Sequence, residues 1–186
     1  MNFKKIFWAM RALIYKFRFK KIGNLCYIGR PIFLLGTKRV SLGNRVRIYP
    51  HIRMETHNTG KIEIQDNVSI GQGLHITAGG HLIIGKNTTI SSNVLITDID
   101  HEFHELNTHI MDQPLNIKET IVGDNCFIGA GAKILPGTRL GKQCIIGANS
   151  VVKGNFPDYS VIVGIPAKII KYYDKESNKW KRCEEK

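Results

Sequence analysis

The chain has 186 residues, 42% of them hydrophobic, and carries 27 Lys and Arg against 15 Asp and Glu, a net charge of +12. That is enough apolar material for one domain with a real core, and it excludes a disordered acidic chain or a string of domains. No apolar run approaches the roughly 18 residues of a spanning helix, and Cys26, Cys126, Cys144 and Cys183 form no Cys-x-x-Cys or zinc-type spacing, so reduced thiols in a cytoplasmic setting, without a cleavable signal, are expected.

The charge is lopsided: Met1 to Met54 holds 13 basic residues and no acidic one, while the rest carries 14 basic against 15 acidic. Within this segment Phe3, Ile6, Phe7, Met10, Leu13, Ile14 and Phe17 recur at steps of three and four among Lys4, Lys5, Arg11, Lys16, Arg18 and Lys20. The spacing predicts a basic amphipathic helix over 1–22, stopped at Gly23-Asn24. Two readings stay open for it: attachment to an anionic membrane face, or a cap over the edge of the domain or against a partner subunit. No nucleic-acid partner is expected.

From Ile28 an aliphatic residue returns every sixth position: Ile28, Leu34; Leu42, Ile48, Met54; Ile64, Ile70, Ile76; Ile84, Ile90, Ile96; then Val122, Ile128, Ile134, Leu140, Ile146 and Val152. Gly often follows the aliphatic residue. A period of six suits neither an amphipathic helix nor a hairpin array, but suits a parallel β-helix of three short strands per coil. The extra residues after Leu34, Met54, Ile76 and Ile96 all fall at one corner, where the third face of a coil leads to the first face of the next. Cys126 and Cys144, one coil apart, read as stacked core thiols. Between Ile96 and Val122 the beat is suspended for one excursion, 97–121, that opens Thr97-Asp98-Ile99-Asp100-His101-Glu102-Phe103-His104-Glu105. A long loop in so regular a scaffold is usually functional. The last stretch, 169–186, reads as a short C-terminal helix or tail.

The repeats, with Ile146-Gly147-Ala148-Asn149-Ser150-Val151-Val152-Lys153 and the terminal Gly164-Ile165-Pro166-Ala167-Lys168, resemble the hexapeptide-repeat acetyltransferases over roughly Ile28 to Lys171. The basic start and the histidine loop are most similar to sugar O-acetyltransferases of the maltose, galactoside, capsular and lipopolysaccharide type. The resemblance implies an all-β fold, a left-handed parallel β-helix spanning 23–168. It also implies acetyl-CoA as cosubstrate, a saccharide acceptor from a surface polysaccharide or its lipid-linked precursor, and a homotrimer with sites between adjacent subunits.

Acetyl transfer from a thioester to a hydroxyl needs a base, and imidazole, with an unperturbed pKa near 6.5, is suited to it. The resemblance assigns this role to His101, with Asp98 or Asp100 fixing its tautomer and His104 as the rival base. Many capsular-sugar members read Asp-His-x-His where this chain has Asp98-Ile99-Asp100-His101, and Glu102 stands where Pro often follows the histidine. By the same resemblance Ala130 and Ala148 line the pantetheine groove, while Lys153, Lys168 and Lys171 meet the phosphates. His51, His57, His75, His81 and His109 read as surface or interface residues. A metal reading, by analogy with the γ-class carbonic anhydrases, is the weaker one, and no metal is expected. Two alternatives to the O-acetyltransferase remain: an N-acetyltransferase acting on an amino sugar nucleotide, and a β-helix without catalysis that serves binding or assembly.

Overall fold

The computed structural model describes residues 3–183; residues 1–2 of the expected helix and 184–186 of the expected tail lie outside them. The six-residue beat becomes a parallel β-helix. Its first face stacks seven strands, from Lys21–Ile22 through Val40–Leu42, Lys61–Ile64, His81–Ile84, Thr120–Val122 and Arg139–Leu140 to Asn155–Phe156. The second face runs from Tyr27–Ile28 to Ser160–Gly164. The third holds Phe33–Leu35, Arg53–Thr56, His75–Ala78, Leu95–Thr97, Lys133–Ile134 and Val151–Val152.

Every aliphatic residue of the beat except Leu34 is buried. On the second face Ile48, Ile70, Ile90, Ile128, Ile146 and Ile162 stand in direct register, rung on rung. Burying each such side chain contributes about 1.5–3 kcal/mol, and a one-residue slip along the strand would turn it outward. The corners require close backbone approach: a Cβ on Gly123 would lie 2.4 Å from the Gly141 carbonyl oxygen. Two residues on, Asn125 takes a positive φ of 58°, a conformation Asn tolerates better than most side chains. Cys126 and Cys144 are buried, as their register implies. All four interruptions sit between the third and first faces.

The helix α1, Phe3–Tyr15, is shorter than its periodicity predicts, because Lys21–Ile22 is already the first strand. Its orientation is informative. Ala12 is buried, Trp8 packs on Tyr27 and Tyr49 with ring centroids 5.8 and 5.6 Å away, and Arg11 Nη1 donates to the Ile28 carbonyl at 3.0 Å. The apolar stripe therefore points away from the β-helix: Phe3, Phe7, Met10, Leu13, Ile14 and Phe17 are all exposed, Phe17 at 83%.

The expected C-terminal helix or tail is corrected. Ala167–Asp174 turns back antiparallel on Ser160–Gly164, and Lys179–Arg182 pairs with it in turn. The reason is the open edge of the last coil: its strand has unpaired amides and carbonyls, and an extended segment satisfies them where a helix would leave them bare. Ala167 and Ile169 pack against the core from this hairpin.

Candidate active site

The excursion is an ordered arm. Asp98 is fully buried at its root, where its Oδ1 accepts the Gly79 N–H at 2.7 Å and its Oδ2 the Gly80 N–H at 3.0 Å. Burial pushes its carboxyl above the usual range, against the pull of those two N–H groups. The returning chain closes on the same point, with Lys118 N donating to the Asp98 carbonyl at 2.9 Å and Thr120 Oγ1 to the Thr97 carbonyl at 3.0 Å. Ile99–His101 then pairs antiparallel with Leu115–Ile117, placing His101 opposite Leu115. Gln113, which belongs to no repeat position or motif, ties the arm's outer loop. Its Nε2 donates to the carbonyls of Glu105 and Thr108 at 3.2 and 3.1 Å, and its Oε1 accepts the Glu105 N–H at 3.2 Å.

This arm holds His101 over the third face, in a cleft of about 360 Å³ that also contains His57, His75, Thr77 and Thr97. The expected carboxylate partner is not at its ring. Asp98 faces Gly79 and Gly80, while Asp100 accepts the His101 backbone N–H at 3.0 Å and lies 3.9 Å from Lys153 Nζ. His104 lies outside that lining, its ring tilted against that of Phe103 with centroids 4.5 Å apart and its Nε2 3.4 Å from Glu102.

The histidines read as surface residues include two that belong to this cleft. Glu55, 6% exposed, pairs with Arg53 and places its carboxylate oxygens 3.3 Å from His75 Nε2 and 3.5 Å from His57 Nε2. His75 Nε2 is also 3.1 Å from Thr77 Oγ1. The Arg53 guanidinium beside Glu55 holds its carboxyl below the usual range. A signal for this cluster was present: Arg53-Met54-Glu55 and His75-Ile76-Thr77 straddle inward aliphatic residues, so their outer side chains stack once the coils are in register. Among the described residues no set of three or more His, Cys, Asp or Glu is arranged to hold a metal.

Ala130 and Ala148 come together in a second cleft, of about 570 Å³, with Asn93, Lys133, Val151 and Ile165. Both alanines are exposed, and their small side chains leave the corner backbone open to an extended ligand. The two clefts adjoin, because Leu95 of the first and Lys133 of the second are register partners on the third face. Lys153 follows the strand Val151–Val152; Lys168 and Lys171 lie on the C-terminal hairpin opposite Val163 and Val161. None of these three lysines lines either cleft.

A bacterial transferase hexapeptide (six repeats) profile matches residues 119–154. A putative lipopolysaccharide biosynthesis O-acetyl transferase of Escherichia coli is 31% identical over 168 residues, covering 86% of this chain and 85% of that one. A probable acetyltransferase of Mycobacterium tuberculosis is 28% identical over 80% of this chain and 50% of its own. Among solved structures, the Bacillus cereus N-acyltransferase AntD in complex with dTDP and 3-hydroxybutyryl-CoA superimposes with a TM-score of 0.76 at 21% identity, over 90% of each chain. A galactoside acetyltransferase in complex with coenzyme A gives 0.60 at 21% identity, over 90% of this chain and 72% of that one.

Proposed function

The chain belongs to the bacterial hexapeptide-repeat transferases, and from that premise we propose that it moves an acetyl group from acetyl-CoA to a hydroxyl of a surface saccharide or its precursor. The observation that carries this is the adjacency of the His101 cleft to the Ala130 and Ala148 cleft on one face of one chain. In this reading His101 takes the proton of the acceptor hydroxyl, the oxygen attacks the thioester carbonyl, and the departing thiol recovers the proton from the imidazolium. Backbone around Ala130 and Ala148 holds the pantetheine, and Lys153, Lys168 and Lys171 supply charge for the phosphates. The 31% identical O-acetyl transferase supports hydroxyl chemistry. The test is release of free thiol from acetyl-CoA with panels of hydroxyl and amino acceptors. Thiol release with hydroxyl sugars is the expected result; release with amino sugar nucleotides alone identifies an N-acetyltransferase, and release with neither identifies a binding protein.

The working unit in this reading is a homotrimer. Phe127, Ile145 and Val161 stack outward on the second face, a rigid apolar ladder suited to self-association. Light scattering at micromolar concentration should give three times the 21.0 kDa chain mass; a monomer contradicts it.

Helix α1 belongs to the same reading. Among the described residues no helix is long and apolar enough to cross a membrane, but the outward face of α1 combines exposed aromatic and aliphatic side chains with exposed Lys16, Arg18 and Lys20 beyond its end. We assign it to an anionic inner membrane face, where a lipid-linked acceptor is found. Each basic residue near such a surface adds about 1 kcal/mol. The protein should float with phosphatidylglycerol vesicles, less so at high salt, and Phe7→Glu with Phe17→Glu should abolish flotation. Equal flotation with neutral vesicles, or none with either, overturns the assignment.

A further inference from the structure

The outer surface of the third face changes character along its length. Register stacks Leu35 under Glu55, Glu55 under Thr77 and Thr77 under Thr97, while Arg53, His75 and Leu95 form the adjoining column. Rungs of a parallel sheet are about 4.8 Å apart, so Glu55 and Thr97 mark the two ends of a polar strip about 10 Å long. The strip ends where the hairpin bearing His101 rises, one rung before Lys133 and the coenzyme side.

Glu55 is the unusual member. It points outward on a solvent-facing sheet, yet its side chain is only 8% exposed, because Arg53, His57 and His75 close over it. Burying a carboxylate is costly unless its charge is paired and its lone pairs are filled. Here Arg53, whose guanidinium also lies 5.3 Å over the Phe33 ring, and the two imidazoles do both. The arrangement turns Nε2 of each ring toward one carboxylate. A ring donating Nε2–H to it presents Nδ1 as a hydrogen-bond acceptor. The His57 and His75 side chains remain 38% and 43% exposed and form part of the cleft surface.

The cleft is therefore two-sided. The β-helix contributes imidazoles and the hydroxyls of Thr77 and Thr97, and the hairpin contributes the aliphatic side chains of Ile99, Met111 and Leu115. A pyranose has the matching division, hydroxyls around its edge and a C–H surface on its face. No Lys or Arg is among the residues lining the cleft, and Arg53 beside it is committed to Glu55, so a nucleotide diphosphate would find no cationic side chain there.

We propose that this cleft is the acceptor subsite, that it takes a neutral pyranoside through His75 and His57, and that Glu55 is a positioning residue that fixes the two rings. The proposal rests on the acetyl-transfer reading for what happens to the bound sugar. Binding itself is tested separately, by saturation-transfer NMR with p-nitrophenyl glycosides of galactose, glucose, mannose and N-acetylglucosamine, with thymidine diphosphate as competitor. The wild-type protein binds at least one glycoside, and thymidine diphosphate does not displace it. His75→Ala and the isosteric Glu55→Gln each weaken that binding about tenfold or more, while calorimetric affinity for acetyl-CoA stays the same. Glu55→Gln also changes the ¹⁵N shifts that report the His75 tautomer, which a loss of stability alone would not do. Thr77→Val serves as a further variant should His75→Ala fail to fold. Binding of no glycoside by the wild type, equal binding by the variants, or displacement by thymidine diphosphate overturns the subsite. Glycoside binding that is lost in the variants as expected, with no thiol release from acetyl-CoA in the wild type, leaves the subsite standing and overturns acetyl transfer instead.

Discussion

His101→Ala should lower kcat by about a hundred- to ten-thousand-fold, the usual worth of a general base, while leaving acetyl-CoA affinity unchanged. The imidazole is exposed at the end of a short strand and packs into no core, so removing it costs little stability and the fold remains a fair background for the measurement. The Ala130 and Ala148 cleft has no lining residue in common with the His101 cleft. His104→Ala should cost much less, since its side chain is 75% exposed and sits against Phe103 and Glu102. Asp100→Asn should also be mild: the carboxylate holds a backbone N–H and an exposed lysine rather than the His101 ring. Thiol release by each variant on one acceptor, with acetyl-CoA binding by calorimetry, decides the matter. A dead His104→Ala beside an active His101→Ala reverses the assignment, and activity in both removes the basis for acyl transfer through this loop.

The regular part of the molecule was legible because its cause is local and repeated. An inward aliphatic residue every six positions leaves few places for Ile70 or Ile128 except the axis, and insertions can collect only at a corner that neighbouring coils do not clamp. What was misread depends on which surface meets which. Periodicity located the apolar stripe of α1, but the helix is apolar on two sides, and the side that docks uses Trp8, Ala12 and Tyr15 against Tyr27, Tyr49 and the core. The C-terminal hairpin was hidden by its basic composition, since an open strand edge recruits backbone, not side-chain type. The Glu55 cluster needed register across coils of unequal length, 20 residues from Leu35 to Glu55 and 22 from Glu55 to Thr77. The nearness of Asp98 to His101 in sequence suggested a catalytic pair, whereas the chain turns at Asp98 and sends its carboxylate inward.

Asp98 thus carries the second large expected effect, one on stability. Asp98→Ala leaves the Gly79 and Gly80 N–H groups without their acceptors, the first of them buried and the second part-buried. An orphaned buried donor costs about 1–3 kcal/mol, which is the loss expected from the buried Gly79 N–H, with a smaller one from the part-buried Gly80 N–H, and each kcal/mol lowers Tm by about 2–4 °C in a chain of this size. Asp98→Asn keeps one acceptor and turns an amide N–H₂ toward the other donor, so it should fall between Ala and wild type. The pH dependence separates the charge from the hydrogen bonds. Burial raises the folded-state pKa of Asp98, so the folded protein holds this proton more tightly than the unfolded chain. That contribution is fully present below the ordinary carboxyl range and is lost as pH rises through the raised value. The wild type should therefore lose stability with rising acidic pH more steeply than Asp98→Asn, in which nothing titrates at this position. Thermal unfolding followed by circular dichroism over a pH series reads both effects. Unchanged Tm in both variants, with turnover abolished, would show that Asp98 acts in the chemistry and not at the root of the arm.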